Sequence, residues 1–367
     1  MAFIELGELC DKGTSNLAQK DLLIDSGRYP VYGAAGEITK VDFYQQSKPY
    51  LGIVKDGAGV GRVMRLPSNS SVIGTLQYIF PKENVDLKYL YYLIKYLDLG
   101  KSNTGATIPH IYFKDYKKRK VKVKSYSEQK HIGEIFELLD MQLNTYKNTL
   151  KQYNLLVKSR FVEMFGNPII NDKKYPVFKL KDISQKIGSG FTPRGGNSNY
   201  IDEGIAFIRS MNIYNNTFKK DNLVYIDEFL AKQLSQVEVF SNDLLLNITG
   251  ASVARCCTVP DHILPARVNQ HVCIIRQCKI SNVFLEYCLT NESYQEYLLL
   301  LSNKNGATRE ALTKIQVENL EVISPPFVEI SRFIKKVDQI NKLKADVQKS
   351  IDETQLLMDS LMQEYFG

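Results

Sequence analysis

The stretch YSEQKHIGEIFELLDMQLNTYKNTLKQYNLLVKSRFVEMFG, residues 126–166, decides the fold, because apolar side chains recur along it at alternating steps of four and three. This spacing is typical of a long helix that packs against another helix through one apolar stripe. A span of roughly 33 to 38 residues corresponds to about 50–57 Å of helix at 1.5 Å per residue. A helix of that length with so narrow a stripe needs a partner helix, and the chain contains a candidate.

The candidate partner is residues 326–367, where the same pattern returns 201 positions later. The Phe-Gly pair at 165–166 recurs at 366–367, and the Gly-Ala-Thr triplet at 105–107 recurs at 306–308. The residues predicted to form the seam of the helix pair are Ile132, Phe136, Leu139, Leu143, Tyr146 and Leu150 in the first copy and Phe333, Val337, Ile340, Val347, Ile351 and Met358 in the second.

Two polar residues interrupt the second stripe. Lys344 and Thr354 stand where the first stripe has Leu143 and Tyr153. Packing of each helix against a globular domain therefore remains an alternative to packing of helix against helix. Both copies end in Phe-Gly, and glycine is frequent just past the last turn of a helix.

Each long helix follows a block of mixed α and β character. Short β-branched runs bounded by turn residues, such as YLGIVKDG at 50–57 and DLLLNITG at 243–250, predict strands, whereas VDLKYLYYLIKYL at 85–97 predicts a helix. The predicted fold class is α+β, an approximate tandem duplication of block and helix. The predicted divisions are a mixed domain at 1–125, a central helix at 126–166, a second mixed domain at 167–325 and a C-terminal helix at 326–367.

The two blocks share a turn that contains glycine. It follows a predicted strand at residues 57–62 and again at residues 250–255, and it ends in arginine both times. Beside an apolar strand further along, Gln77 and the run Asn269-Gln270-His271 are predicted to lie at matching points.

Composition narrows the classes of protein. Of 367 residues, 44% are hydrophobic and 24% are charged, which is ordinary for a globular chain. No run of 18 apolar residues occurs, and the first residues lack the basic and apolar regions of a secretory signal. The six cysteines include no CxxC pair. We therefore expect a cytoplasmic protein with reduced thiols and no membrane association.

The net charge of +7 is concentrated in the first third of the chain. Residues 1–125 hold 19 Lys and Arg against 12 Asp and Glu, whereas positive and negative charges balance in the remainder. Residues 117–124 alone hold six cations in eight positions. Such a segment suits a phosphate-binding face, and an edge strand protected from aggregation by lysine is the alternative.

A catalytic centre is not predicted. The nucleotide-binding pattern GxxxxGK[ST] is missing, and residues 57–61 read GxGxG instead of the GxGxxG of dinucleotide sites. The four histidines are scattered, so no metal site is expected. The glycine-containing loops do carry Arg, Gln, Asn, Ser and Thr, which are the side chains that read base edges and contact phosphates.

Ahead of the two long helices the chain carries a set of short motifs, namely GSGFTP at 188–193, DLLLNITGAS at 243–252, VNQH at 268–271, NGATR at 305–309 and, in the first half, KDGAG at 55–59. In this order ahead of a long helix, these motifs resemble the specificity subunit of type I restriction-modification enzymes. The first half lacks the TP and NQH pieces, so the two blocks should read different sequences. The resemblance covers essentially the whole chain.

The resemblance implies a fold and a role. In that family the two blocks are target recognition domains, each reading one half of a split, asymmetric site in double-stranded DNA. The two helices are spacers packed as an antiparallel coiled coil with pseudo-two-fold symmetry. The subunit itself is not an enzyme and binds no cofactor. It joins two adenine-specific methyltransferase subunits, which use S-adenosylmethionine, and restriction subunits, which use ATP and Mg²⁺ to translocate and cleave DNA.

By resemblance and loop chemistry, fifteen residues are candidates for DNA contact, although a structural role is equally open for each. In the first domain they are Tyr32, Lys55, Arg62, Gln77, Thr107 and His110, and in the second Ser189, Arg194, Arg209, Arg255, Asn269, Gln270, His271, Thr308 and Arg309. The helix faces away from the seam, which include Glu134, Lys147, Lys158 and Lys335, are candidates for docking the methyltransferases, or are ordinary solvated faces.

Two readings from other classes remain open at this point. One is a degenerate nuclease or methyltransferase, which S-adenosylmethionine binding or DNA cleavage by the isolated chain would support. The other is a coiled-coil scaffold that joins proteins without reading DNA sequence.

Overall fold

A computed structural model describes residues 3–22, 27–102, 109–276, 279–303 and 310–367. The chain divides into two compact units. The first unit comprises Met1–Thr149 together with Asp346–Gly367, and the second comprises Leu150–Ala345. Within the described residues, no helix combines the length and the apolar character that a membrane span requires.

The first unit is built on two sheets. Its strands are, in chain order, β1 (Phe3–Glu5), β2 (Cys10–Thr14), β3 (Tyr29–Gly33), β4 (Gly36–Val41), β5 (Tyr50–Val54), β6 (Val63–Leu66), β7 (Ser71–Val72), β8 (Leu76–Pro81) and β9 (Lys120–Lys122). An antiparallel sheet has the order β2-β8-β5-β6, and a second sheet has the order β4-β3-β7 with β3 and β7 parallel. Strands β1 and β9 pair separately.

The second unit repeats this topology. Its strands are β10 (Val177–Lys179), β11 (Lys186–Ser189), β12 (Ile205–Ile208), β13 (Ile213–Tyr214), β14 (Thr217–Phe218), β15 (Val224–Ile226), β16 (Glu238–Val239), β17 (Leu244–Asn247), β18 (Cys256–Thr258), β19 (Ala266–Val268), β20 (Val272–Arg276) and β21 (Glu321–Ile323). The order β11-β20-β17-β18 matches β2-β8-β5-β6, and the parallel pair β12-β19 matches β3-β7.

The second unit also contains elements that extend this plan. It has the hairpin of β13 and β14 between β12 and β15, which matches β4, and a short helix and strand β16 between β15 and β17. In the first unit, β3 is followed by β4 and then directly by β5, and the intervening residues are all described. The two units therefore share a frame and differ in what is inserted into it.

Nine helices join these strands in the described residues. They are α1 (Leu87–Leu97), α2 (Phe113–Tyr116), α3 (Tyr126–Phe165), α4 (Leu180–Ile183), α5 (Glu228–Gln233), α6 (Asn282–Leu289), α7 (Glu292–Asn303), α8 (Lys314–Glu318) and α9 (Phe327–Phe366). The long helices α3 and α9 span 40 residues each, slightly more than the apolar pattern predicts.

Local sequence explains where α3 begins and ends. Ser125 and Glu128 form a reciprocal cap, in which the Glu128 carboxylate accepts from the Ser125 N–H over 2.9 Å and the Ser125 hydroxyl accepts from the Glu128 N–H over 3.4 Å. The helix stops at Gly166, whose φ of 72° lies in the left-handed region that favours glycine. Helix α9 follows two prolines, which fit the start of a helix and not its interior.

In both units a central strand of the first sheet, β5 or β17, is buried on both faces. Leu244 and Leu246 of β17 face the core that includes α6, α3 and α9, whereas Leu245 faces the core of the second sheet. In the first unit, Leu51 and Ile53 face the helices while Tyr50 and Val54 face the second sheet. Because successive side chains of a strand point to opposite faces, burial of both faces requires an unbroken apolar run.

Helices α3 and α9 are antiparallel. In the first unit the Phe136 ring of α3 stacks on Phe366 at the end of α9, with centroids 5.8 Å apart. In the second unit Phe161 and Phe165 of α3 lie 5.6 Å and 5.5 Å from Phe333 near the start of α9. This pairing confirms the prediction of an α+β fold with paired long helices.

Nine of the twelve predicted seam residues lie in these cores. Buried in the first unit are Ile132, Phe136, Leu139, Leu143 and Met358, with Ile351 partly buried; buried in the second are Phe333, Val337 and Ile340. Tyr146, Leu150 and Val347 are half-buried. The two interruptions have local reasons. Lys344 interacts electrostatically with the buried carboxylate of Glu286, and Thr354 donates its hydroxyl to the Ser350 carbonyl over 2.7 Å.

Candidate nucleic-acid interface

One hairpin turn recurs in both units with the same backbone hydrogen bonds. We call it the arginine turn: residues 54–62 between β5 and β6, and residues 247–255 between β17 and β18. Its first N–H donates to its last carbonyl over 2.9 Å in the first unit and 2.8 Å in the second. The fourth residue is Gly57 or Gly250, with φ of 81° or 71°. Such angles lie in the left-handed region that favours glycine, which explains the glycine in both turns.

Each arginine turn is hydrogen-bonded to a segment much later in the chain, at Pro109 in the first unit and at Glu310 in the second. In the first unit the Gly57 N–H donates to the Pro109 carbonyl over 3.0 Å. In the second, the Gly250 N–H donates to the Glu310 carbonyl over 2.9 Å. Pro109 and Glu310 are 201 residues apart, so the repeat read from the helices extends to this contact. The predicted DNA contacts Thr107, Thr308 and Arg309 precede these segments in the chain and lie outside the described residues.

In the first unit, polar side chains gather around the arginine turn. The exposed Arg62 guanidinium donates from Nη1 to the Ala34 carbonyl over 2.9 Å. His110 contacts the Asp56 carboxylate through Nδ1, and the two residues also form a backbone bridge. Half-buried Lys55 lies next to this pair. Three predicted contacts, Lys55, Arg62 and His110, are thus brought to one turn.

Tyr32 lies on β3, near the end of the second sheet of this unit. Its side chain is half-buried, and burial, reinforced by the negative charge of Glu37, raises the pKa of its hydroxyl. At neutral pH the hydroxyl is therefore protonated and able both to donate and to accept a hydrogen bond.

Gln77 is placed differently from the predicted match. It is 4% exposed, and its amide donates to the Tyr116 hydroxyl inside the unit. The residue equivalent to His271 is Thr75, because the carbonyls of both accept from the arginine turn, at Lys55 and at Ile248. The match between Gln77 and the Asn269-Gln270-His271 run was wrong, since the ladder pairs Gln77 with Ile53 and Cys273 with Leu246, which makes Gln77 equivalent to Cys273. A DNA contact by Gln77 would require its amide to leave Tyr116 and stays a prediction.

In the second unit the arginine turn borders a cleft of about 530 Å³. Most of its lining residues have polar or small side chains; the lining comprises Ser210, Met211, Tyr214, Thr249, Gly250, Ala251, Ser252, Arg255, His271, Glu310 and Ala311. Two predicted DNA contacts, Arg255 and His271, are brought together here. The guanidinium carbon of Arg255 lies 4.5 Å from the centroid of the Tyr214 ring, and the Lys219 ammonium lies 4.1 Å from the same centroid.

The Asn269-Gln270-His271 run approaches this cleft through its last residue. The His271 ring shares a hydrogen bond of 2.6 Å between Nδ1 and the Thr249 hydroxyl. Gln270 is exposed, whereas Asn269 is buried and its side-chain oxygen accepts from the His271 N–H over 3.2 Å. Asn269 thus shapes the turn, and Gln270 and His271 present side chains near its surface.

The remaining predicted contacts lie on neighbouring loops of the second unit. Arg209 packs over the Tyr200 ring at 5.4 Å and donates to the Asn222 carbonyl over 2.7 Å. Ser189 at the end of β11 and Arg194 in the following loop are exposed. The structure therefore leaves Ser189 and Arg194 accessible to a ligand, while Arg209 also holds a loop together.

The cationic segment at 117–124 forms only one short strand, β9, paired with β1. Val121 in its centre is buried, while Lys122 lies 5.7 Å from the Phe3 ring centroid and donates to the Gly367 carbonyl. An exposed cationic edge next to a buried valine fits edge protection as well as it fits phosphate binding.

Sequence reasoning missed Tyr214 and Lys219. They lie on or just after the β13–β14 hairpin, whose two-residue turn is Asn215-Asn216. Asn216 has a φ of 57°, and hairpins with two-residue turns prefer Asn or Gly at such positions. The signal for this hairpin in the sequence was the Asn-Asn pair between the β-prone pairs at 213–214 and 217–218.

The described cysteines are buried and free. Burial raises the pKa of the Cys10, Cys273 and Cys288 thiols to about 12, so they stay protonated and poorly nucleophilic at neutral pH. In the described part of the chain, no three His, Cys, Asp or Glu side chains are grouped closely enough to hold one metal ion.

Comparison with known proteins gives concordant matches. A family model described as the type I restriction modification DNA specificity domain matches residues 1–153 and 172–353. A protein of Methanocaldococcus jannaschii, named as a type I restriction enzyme MjaX specificity subunit, is 20% identical over 303 residues, which cover 77% of this chain and 68% of that protein.

Solved structures are similar in fold. The crystal structure of a type I restriction-modification system S subunit from M. genitalium has a TM-score of 0.63 at 15% identity, covering 100% of this chain and 96% of that one. A chain from a structure describing complex assembly and conformational transition of the type I R-M system has a TM-score of 0.55 at 15% identity, covering 99% and 96%.

Proposed function

Because the chain belongs to the family of type I restriction-modification DNA specificity domains, we propose that it reads a split, asymmetric target in double-stranded DNA for a restriction-modification complex. DNA sequence specificity is the role of the family. The further steps of the proposal concern how the target is divided, which partners the chain joins and what chemistry it lacks.

The observation that carries the proposal is the duplicated arginine turn. Each unit holds one, fixed by the same backbone contacts, which supports an equivalent place for reading DNA in each unit. The surroundings differ: Arg62 donates to a backbone carbonyl, whereas Arg255 packs on an aromatic ring. Arginine pairs with guanine through O6 and N7, and its neighbours decide its geometry. Two equivalent readers with different surroundings suit a target whose two halves differ.

The partners we propose are two copies of an adenine-specific methyltransferase and a restriction subunit. The Leu-Leu pair at 155–156 of α3 recurs as the pair at 356–357 of α9, at the repeat shift of 201. All four leucines are at least half exposed. Exposed apolar side chains at equivalent places support docking of one copy of the same partner at each pair. The charged candidates Glu134, Lys147, Lys158 and Lys335 are also exposed and accessible to such a partner.

The chain itself, we propose, is not an enzyme, binds no cofactor and acts in the cytoplasm. S-adenosylmethionine would serve the methyltransferase copies, and ATP and Mg²⁺ would serve the restriction subunit. The protonated, buried thiols described above support the absence of cysteine chemistry.

The experiment is to map adenine methylation across the genome of cells that express this chain with its cognate methyltransferase. A split motif with an unread gap, which disappears when only this chain is deleted, is the expected result. The matched control expresses the same methyltransferase with a chain from which residues 167–325 have been replaced by the corresponding domain of another family member. It should change one half of the motif and keep the other. Absence of any motif that depends on this chain would refute the proposal.

A further inference from the structure

We propose that Tyr214 is a positioning residue that orients the Arg255 guanidinium to read one base pair in the half-site of the second unit. This inference rests on the proposed function, because it presupposes that Arg255 reads DNA. It assigns the β13–β14 hairpin, which extends the frame shared by the two units, to sequence discrimination.

The contact between the two side chains suits this role. The Arg255 guanidinium lies over the Tyr214 ring at 4.5 Å from its centroid, close enough for attraction between the cation and the π electrons of the ring. The guanidinium is planar, and a ring that holds it in one place fixes the direction of its N–H donors, as paired hydrogen bonds to guanine require. An unsupported arginine would have to lose the freedom of several rotatable bonds on binding DNA.

The hairpin is tied to the strand that begins immediately after Arg255. The Asn216 N–H donates to the Cys256 carbonyl over 3.0 Å, and the Cys256 N–H donates to the Asn215 side-chain oxygen over 3.2 Å. The segment carrying Tyr214 and the segment carrying Arg255 therefore keep a fixed relation through residues that adjoin both.

A buried carboxylate anchors both segments from beneath. Glu286 of α6 is 6% exposed and accepts from the Thr258 N–H over 2.7 Å and the Thr258 hydroxyl over 2.6 Å, on strand β18. The same carboxylate accepts from the Asn216 side-chain amide over 3.1 Å, at the hairpin turn. The amide of Asn216 also donates to the Thr290 hydroxyl over 2.9 Å. The Glu286 carboxylate thus holds both strand β18, which follows Arg255, and the hairpin that carries Tyr214.

The equivalent arginine of the first unit is held in another way. Arg62 donates directly to the Ala34 carbonyl, which lies in the short turn between β3 and β4. The second unit uses that part of the fold for the inserted hairpin and for Tyr214. Arg62 uses one N–H donor for a backbone carbonyl, whereas Arg255 packs on a ring, so the two arginines present different donors to DNA. The support, and not the arginine itself, therefore distinguishes the two readers.

The test uses the full chain in complex with its cognate methyltransferase, with the genomic DNA of the expressing cells as the probe. Tyr214→Leu removes the ring, and Tyr214→Phe keeps the ring without the hydroxyl. Tyr126→Leu is the matched control, because its exposed ring carries a cation of similar geometry, Lys130 at 4.7 Å, on α3 of the first unit. Asn216→Gly keeps the left-handed turn but removes the amide that Glu286 anchors.

The expected result is that Tyr214→Leu relaxes one position in one half of the motif, with discrimination there falling about tenfold, as loss of a cation–π contact predicts. Tyr214→Phe and the Tyr126→Leu control should keep the wild-type motif. A wild-type motif in Tyr214→Leu would overturn the inference. So would an equal loss at all positions, or the same loss in Tyr214→Phe.

Asn216→Gly decides the matter should Tyr214→Leu fail to assemble. Relaxation of the same kind supports the inference, and an unchanged motif overturns it. The wild-type complex separates this inference from the proposed function. If its methylation shows no motif that depends on the chain, the proposed function fails; if it shows one that Tyr214→Leu leaves intact, only the positioning role fails.

Discussion

Arg62 and Arg255 occupy the same position in two different units of one chain. Each closes an arginine turn, with its N–H donating to the carbonyl three residues earlier, over 3.0 Å from Arg62 to Gly59 and 3.2 Å from Arg255 to Ser252. Their side chains then diverge, one to a backbone carbonyl and the other to an aromatic ring. The same backbone hydrogen bonds with different side-chain contacts are what the proposed recognition of two different half-sites requires.

The two arginines should therefore act on separate halves of the target. Arg255→Ala should cost about 1–3 kcal/mol of discrimination at one base pair in one half, and Arg62→Ala should do the same in the other half. Methylation rates on a panel of duplexes, each with one base pair of the mapped motif exchanged, would measure both effects. A uniform loss across the panel would make the arginine a phosphate contact, and an effect of both variants on the same half would contradict the assignment of one unit to one half.

Phe333 should be essential to the stability of the second unit. It is fully buried, and its ring meets Phe161, Phe165 and Tyr287 with centroids 5.3 to 5.6 Å apart. Phe333→Ala should lower the free energy of unfolding by about 3–5 kcal/mol, because it leaves a cavity among these rings. Urea unfolding of the full chain measures the change. Phe327→Ala, six residues earlier on α9 and 81% exposed, is the control and should change it by less than about 0.5 kcal/mol.

Glu286 should make the stability of the second unit depend on pH. Burial raises the pKa of its carboxyl above the ordinary value of 4.5, against the smaller effects of its hydrogen bonds to Thr258 and Asn216 and of the Lys344 ammonium. The native chain then binds this proton more tightly than the unfolded chain. The stability that comes from it is complete below pH 4.5 and is lost as pH rises through the raised native pKa.

Glu286→Gln removes that titration. The free energy of unfolding of the variant minus that of the wild type should therefore increase from pH 4.5 upward until the carboxyl is fully ionised. Urea unfolding at a series of pH values tests this. A difference that stays constant with pH, or decreases, would show that the carboxyl titrates at or below its ordinary value.

The repeated leucine pairs should each hold one copy of the methyltransferase. Replacing Leu155 and Leu156 by glutamine should reduce the mass of the complex by one copy, and replacing Leu356 and Leu357 should remove the other, because each pair exposes apolar surface that a partner would bury. Mass photometry of the purified complexes counts the copies. Leu138→Gln is the matched control, since Leu138 is exposed on α3 and its counterpart 201 positions later is already Gln339. Loss of a copy in this control, or none in the two pairs, would contradict the docking proposal.

The sequence alone determined the two long helices, the tandem repeat and the short apolar strands. Each depends on a pattern of apolar residues, which a helix or strand imposes on its own local sequence. The α+β class followed from the same patterns, whereas the specificity family was indicated by the resemblance of motifs such as GSGFTP at 188–193 and NGATR at 305–309. The repeat shift of 201 residues makes Pro109 and Glu310 equivalent positions, and both accept a backbone hydrogen bond from the arginine turn of their unit.

The tertiary structure decided what those side chains meet. Gln77 lies in the interior on Tyr116, and the ladder makes it equivalent to Cys273 and not to the Asn269-Gln270-His271 run. Tyr214 reaches Arg255, and Glu286 reaches Asn216, across 41 and 70 positions of the chain. Such contacts have no period in the sequence. They arise when sheets and helices pack, since the position of each buried donor and ring is then fixed by partners that are remote along the chain.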